Sequence, residues 1–134
     1  MTSCTLESLH SLLSPLDESA PYLECDGFSR VAALYLYNNG IEYNAYFGKI
    51  CFKGNLIPFH MWLEVGEFII DYRLRMWLPK DLSGVPHGVF KKIDHPNLYK
   101  GTLHHIEPDP FIASILMSDF SQELELLKKL SARN

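Results

Sequence analysis

Leu6, Leu9, Leu12 and Leu13 recur at the spacing of one helix face over residues 5–13. That spacing predicts a helix that stops at Pro15, where the ring removes a backbone donor and crowds the preceding turn. A polar connection, Ser14 to Pro21, follows. From about Gly27 to Asn39 the residues Phe28, Val31, Ala32, Leu34, Tyr35 and Leu36 keep the helical period again, and Asn38-Asn39-Gly40 supplies a C-terminal stop. This second helix is apolar around much of its circumference, which predicts a central place with cover on several sides.

The period then falls to two. Tyr43, Ala45, Phe47, Ile50 and Phe52 predict a strand closed by Lys53-Gly54-Asn55, with Cys51 a small apolar residue alternating between Ile50 and Phe52. Ile57 to Val65 and Phe68 to Arg75 predict two more strands, joined at Gly66-Glu67. Between Pro79 and Pro110 lie five of the eight prolines and four of the six histidines, so loops with at best short strands are expected. From Ser118 onward, Phe120, Leu124, Leu127 and Leu130 predict a C-terminal amphipathic helix whose outer face carries charges such as Lys128 and Lys129.

With 134 residues, 47% hydrophobic and 21% charged, this pattern fits one α+β domain over residues 1–134. A formal net charge of −4, with no Lys/Arg cluster longer than a pair, lacks the footprint of a nucleic-acid binder. No run approaches the roughly 18 apolar residues that span a bilayer. The first residues have neither the basic start nor the apolar core of a signal peptide, so a cytoplasmic protein with reduced thiols is the expectation. Three cysteines at wide spacing make neither a disulfide framework nor a structural zinc site. Cys4 and Cys51 read as small hydrophobes. His87, His95, His104 and His105 show no metal-ligand spacing and read as loop residues, with His87 a possible cleft-lining one.

The candidate chemistry sits at Cys25, His60 and Asp71. Cys25 stands just ahead of the central helix, where unpaired backbone N–H groups and the positive end of the dipole favour a thiolate, although Asp26 opposes this. If Gly66-Glu67 is a two-residue turn, Val65 faces Phe68, and counting outward His60 faces Arg73 and Asp71 faces Trp62. His60 and Asp71 then share one face as diagonal neighbours within hydrogen-bonding reach. A loop of odd length would put them on opposite faces. A base oriented by an acid, beside a thiol at a helix start, is a generalised catalytic triad: the thiol attacks an acyl carbon and forms a thioester. The backbone N–H of Cys25 or Asp26 is the natural oxyanion donor, with Tyr22 the candidate second donor. Trp62 reads as packing that could wall the site, Glu64 as a hydrogen-bond partner behind it, and Arg73 as an ordinary salt bridge or a rim contact for an anionic substrate group.

The run Cys25-Asp26-Gly27-Phe28-Ser29-Arg30-Val31-Ala32-Ala33-Leu34, ending at Asn39-Gly40-Ile41, resembles the nucleophile helix of transglutaminase-like proteins. Gly48 matches the glycine near the end of the strand that follows. His60-Met61-Trp62-Leu63-Glu64-Val65, then Ile70-Asp71, resembles the His-Ala-Trp-x-Glu-Val…Asp pattern of that superfamily, with Met61 in place of alanine. The resemblance covers roughly residues 23 to 75. It implies a papain-like core, with the nucleophile helix packed on an antiparallel sheet, and a Cys25-His60-Asp71 triad. The implied activity is thiol-dependent acyl transfer on a peptide, a protein or an amide-containing small molecule, with no cofactor. Hydrolysis or deamidation is favoured over transfer because no acyl-donor cofactor site is visible. The competing expectation is a non-catalytic module that keeps the fold and holds a peptide.

Overall fold

The computed structural model describes residues 4–118, 126 and 128–131. Two helices, α1 (Leu6–Ser19) and α2 (Cys25–Asn38), precede the strands β1 (Asn44–Phe52), β2 (Asn55–Val65), β3 (Phe68–Asp71), β4 (Gly88–Lys91) and β5 (Tyr99–Leu103). A further helix, α3, follows at Pro110–Met117. The strands form one antiparallel sheet in the order β4-β3-β2-β1-β5, so the molecule is α+β. No helix among the described residues is long and apolar enough to cross a membrane.

α1 starts at a capping box in which the Thr5 and Ser8 side chains satisfy each other's backbone N–H groups. It does not stop at Pro15 but runs through it to Ser19. The lost hydrogen bond is offset by tertiary contacts beyond the proline: Leu16 is buried, and Asp17 meets Arg73 and His87. α2 buries Phe28, Val31, Ala32, Ala33 and Leu36, which is the cover on several sides that its composition demands. α3 lies between the loop-rich stretch expected up to Pro110 and the helix expected from Ser118, where the periodicity predicts no element. Its signal is Asp109-Pro110: the Asp109 carboxylate accepts from the N–H groups of Phe111 and Ile112, and Pro110 occupies the first turn. Of the residues marking the expected C-terminal helix, Phe120, Leu124 and Leu127 lie outside the described residues, and Leu130 is helical and exposed.

The β2–β3 hairpin has the expected register, Val65 opposite Phe68 and Leu63 opposite Ile70. The positive φ of 56° falls on Gly66, the first of the two turn residues, where a II′ hairpin turn needs a glycine. β3 ends at Asp71 instead of running to Arg75, and Leu74–Met76 is a short 3-10 turn. The reason is local: Asp71 Oδ1 accepts the backbone N–H of Arg73, which turns the chain out of the ladder. Arg73 therefore never comes opposite His60.

Between β1 and β2 the register slips, with Gly48 opposite His60 but Ile50 opposite Ile57. β2 carries the extra residue within Pro58-Phe59, a position where a proline deprives no ladder bond. His60 directly follows this bulge. The sheet has two buried faces. Ala45, Met61, Leu63, Val65, Phe68 and Ile70 pack against the helices. Ile50, Ile57, Trp62, Ile69 and Phe90 form a second core with Leu74, Leu78, Val85 and Leu98, so the proline-rich segment covers this face instead of merely looping over the surface. Cys51 belongs to neither core. It is exposed opposite the equally exposed Leu56, near the tip of the β1–β2 hairpin.

Candidate active site

His60 and Asp71 meet as the hairpin register requires. His60 Nε2 lies 2.7 Å from Asp71 Oδ2, and both side chains are essentially inaccessible to water. The short β3 stops before the level of His60, so β2 is paired there on the β1 side alone, through Gly48, and the first residue of α2 comes close to the imidazole. Arg73 fixes this placement: its guanidinium donates to the carbonyls of Ala20 and Leu23, just before α2.

With Nε2 bonded to Asp71, the nitrogen left on the ring is Nδ1, which is buried and has no hydrogen-bond partner of its own. Cys25, the first residue of α2, is half-buried and close enough to act on the imidazole. Burial alone disfavours the imidazolium, but the hydrogen bond and charge of Asp71, with the nearby Cys25 sulfur acting in the same direction, outweigh it and raise the His60 pKa to about 9. Around the thiol, Glu24 supplies no side-chain cap to α2, and the first helical hydrogen bond runs from Phe28 N–H to Glu24 O. The amides of Cys25 and Asp26 precede that bond. Asp26 itself is tied up by Arg30, 2.9 Å away along the helix surface.

Asp71 has a further partner that sequence reasoning missed. The Tyr99 hydroxyl donates to Asp71 Oδ2 at 2.7 Å, the same oxygen that serves His60. The contact depends on a close approach of β5 to β1. Gly48 and Gly101 face each other across those strands. A Cβ on Gly48 would lie 2.2 Å from Lys100 O, and one on Gly101 would lie 2.6 Å from the Trp62 ring. Two glycines in adjacent strands, each preceded two residues earlier by a tyrosine, were the available signal.

The other singled-out residues are arranged around this core. Trp62 is buried beneath the site, its ring 6.4 Å from that of His60 and stacked on Tyr46, with Nε1 donating to Glu64 Oε2 at 3.1 Å. Glu64 is buried and also accepts from Lys92 Nζ at 3.0 Å. Arg73 is buried too: its guanidinium bonds Asp17 and the carbonyls of Tyr72, Ala20 and Leu23, and lies 4.6 Å over the Phe28 ring. Those contacts leave no free face for an anionic substrate. Tyr22 is 46% exposed at the surface before α2.

The loop histidines are dispersed. His87 bonds Asp17 at 3.2 Å, His95 packs edge-on against Phe90, His104 lies beside Phe47, and His105 bonds Glu107 at 2.6 Å. Among the described residues no group of three or more His, Cys, Asp or Glu side chains is arranged to hold a metal ion. In comparisons with known proteins, no protein-family model, no curated protein and no solved structure matches the chain.

Proposed function

We propose that the chain is a thiol-dependent acyl-transfer enzyme with Cys25 as nucleophile, His60 as base and Asp71 as orienting acid. The transglutaminase-like resemblance and its papain-like core belong to the same proposal. The observation that carries it is the state of the His60 ring: one nitrogen is held by a buried carboxylate, the other is buried without a partner, and a half-buried thiol lies close enough to act on the ring. A structural histidine is expected to have both nitrogens satisfied when this deeply buried.

In this reading Cys25 Sγ attacks the acyl carbon of an amide while His60 holds the thiol proton as an imidazolium steadied by Asp71. The oxygen charge that develops lies at the start of α2, within reach of the Cys25 and Asp26 amides. Collapse breaks the C–N bond, His60 gives its proton to the departing amine, and a thioester remains on Cys25. Water then releases the acid in hydrolysis or deamidation. The substrate class is an amide in a peptide, a protein or a small molecule. The reduced thiol this needs fits a cytoplasmic setting.

The test is iodoacetamide labelling near neutral pH, read at Cys25 by peptide mass spectrometry because Cys51 is also exposed. Wild-type Cys25 is expected to label on the order of 100-fold faster than in His60→Ala. Equal slow labelling in both proteins overturns the enzyme reading in favour of a binding module that keeps the fold. Incubation with cell lysate should additionally trap an acyl adduct that Cys25→Ser lacks.

A further inference from the structure

Asp71 Oδ2 accepts from two directions at once: His60 Nε2 from β2 at 2.7 Å and the Tyr99 hydroxyl from β5 at 2.7 Å. Oδ1 is occupied separately by the Arg73 N–H at 3.0 Å. The carboxylate thus has three donors in a place where each counts heavily, because water does not compete with them. The phenol is held rigidly, packed on the Trp62 ring at 4.7 Å and the Phe90 ring at 6.2 Å. Neither ring offers the hydroxyl another acceptor. β5 exists as a partner of β1 through the Gly48–Gly101 approach, so the fold carries a specific device that brings Tyr99 to Asp71.

We propose that Tyr99 is a positioning residue that acts through Asp71: by sharing Oδ2 with His60, it fixes the carboxylate and sets how strongly Asp71 holds the imidazolium. The proposal rests on the triad reading for its catalytic meaning, but its physical content concerns the His60–Asp71–Tyr99 chain alone. The sign follows from charge. A phenol donates more strongly to a bare carboxylate than to one already neutralised by an imidazolium. Tyr99 therefore favours the state with neutral His60 and restrains the rise in its pKa.

The charged and titratable groups facing this chain are few. Cys25 faces His60 from α2, Glu64 acts on the Tyr99 hydroxyl from β2, and Lys92 after β4 pairs with Glu64. The Arg73 guanidinium is turned to Asp17, outside the chain. Burial first, then Asp71, hold the Tyr99 phenol well above its usual pKa, so it stays a donor throughout the range in which His60 titrates.

The experiment is NMR titration of labelled histidine, with the His60 signal assigned by its loss in His60→Gln. Tyr99→Phe should raise the His60 pKa by about one unit. Placing 3-fluorotyrosine at position 99 alone gives a more acidic donor of nearly the same shape, and it should shift the His60 pKa the other way. A purely structural role predicts no such opposed pair. An unchanged His60 pKa in both variants, or a shift of the same sign in both, overturns the proposal. The labelling assay keeps the two readings apart. Opposed pKa shifts without His60-dependent labelling of Cys25 leave the Tyr99 device standing and remove the enzyme. Fast His60-dependent labelling with an unmoved pKa does the reverse.

Discussion

Arg73 holds more of the site in place than any other single side chain, although it touches neither His60 nor Cys25 with its guanidinium. Its backbone N–H bonds Asp71, while its side chain ties the end of α1 and the run before α2 to the strand that carries the acid. Replacing it by methionine keeps the stem that lies along Phe28 but leaves Asp17 and three buried carbonyls, those of Ala20, Leu23 and Tyr72, without their donor. The expected cost is about 2 to 3 kcal/mol, below the full penalty for breaking a buried pair because Asp17 is a quarter exposed. Urea denaturation checks it, and a loss under 1 kcal/mol would mean that the guanidinium is replaceable by water. Nothing in the sequence around Arg73 separates this role from a rim contact. By contrast, the His60–Asp71 bond was legible because a two-residue turn and the period of a strand fix it by counting. Tyr99 and Asp17 lie 28 and 54 positions from Asp71, beyond any local periodicity.

Among the elements, the edge strand β5 is the one on which the acid's environment depends. Local sequence gives it little strand character, since Lys100, Gly101 and Thr102 are exposed and alternate weakly. Its place follows from packing: Gly101 lets the Trp62 ring lie across it, and Gly48 lets its backbone close on β1. Gly101→Ala sets a methyl group against a buried indole and the Phe47 carbonyl, 2.6 Å and 2.7 Å from the new carbon. Backbone and a buried ring cannot swing aside as a flexible side chain would. We expect about 1 to 3 kcal/mol of destabilisation and faster amide exchange in β5, with β2–β3 little affected. Exchange that quickens equally in every strand would show that β5 is not a separable edge. The same contrast explains α1 and α3. Propensity stops a helix at Pro15, but the packing of Leu16 and the Asp17–Arg73 pair carry it on. α3 was announced by a cap that periodicity alone does not detect.

At the scale of the molecule, the imidazole lies against a sheet covered on both faces, so its charge is a property of the fold and disappears on unfolding. His60 has a pKa of about 9 in the native protein, against an ordinary value near 6.5 once burial and its partners are lost. A pKa raised by folding stabilises the native state in full below the unfolded value. That contribution declines as pH rises from about 6.5 and is gone above about 9, where both states are neutral at this site. The shift corresponds to about 3 kcal/mol, of the same order as a sizeable share of the stability of a domain this small. Wild-type stability should therefore fall across that window in denaturation series run at constant ionic strength. His60→Gln should be less stable at neutral pH and should lack most of the slope. Asp71→Asn should also flatten it, because it takes away the charge-assisted hydrogen bond that does most to raise the pKa and the carboxylate charge with it. A wild-type curve that stays level between pH 6.5 and 9 would mean that the imidazole is neutral in the native protein. The ion pair that the proposed chemistry starts from would then have to form only when substrate arrives.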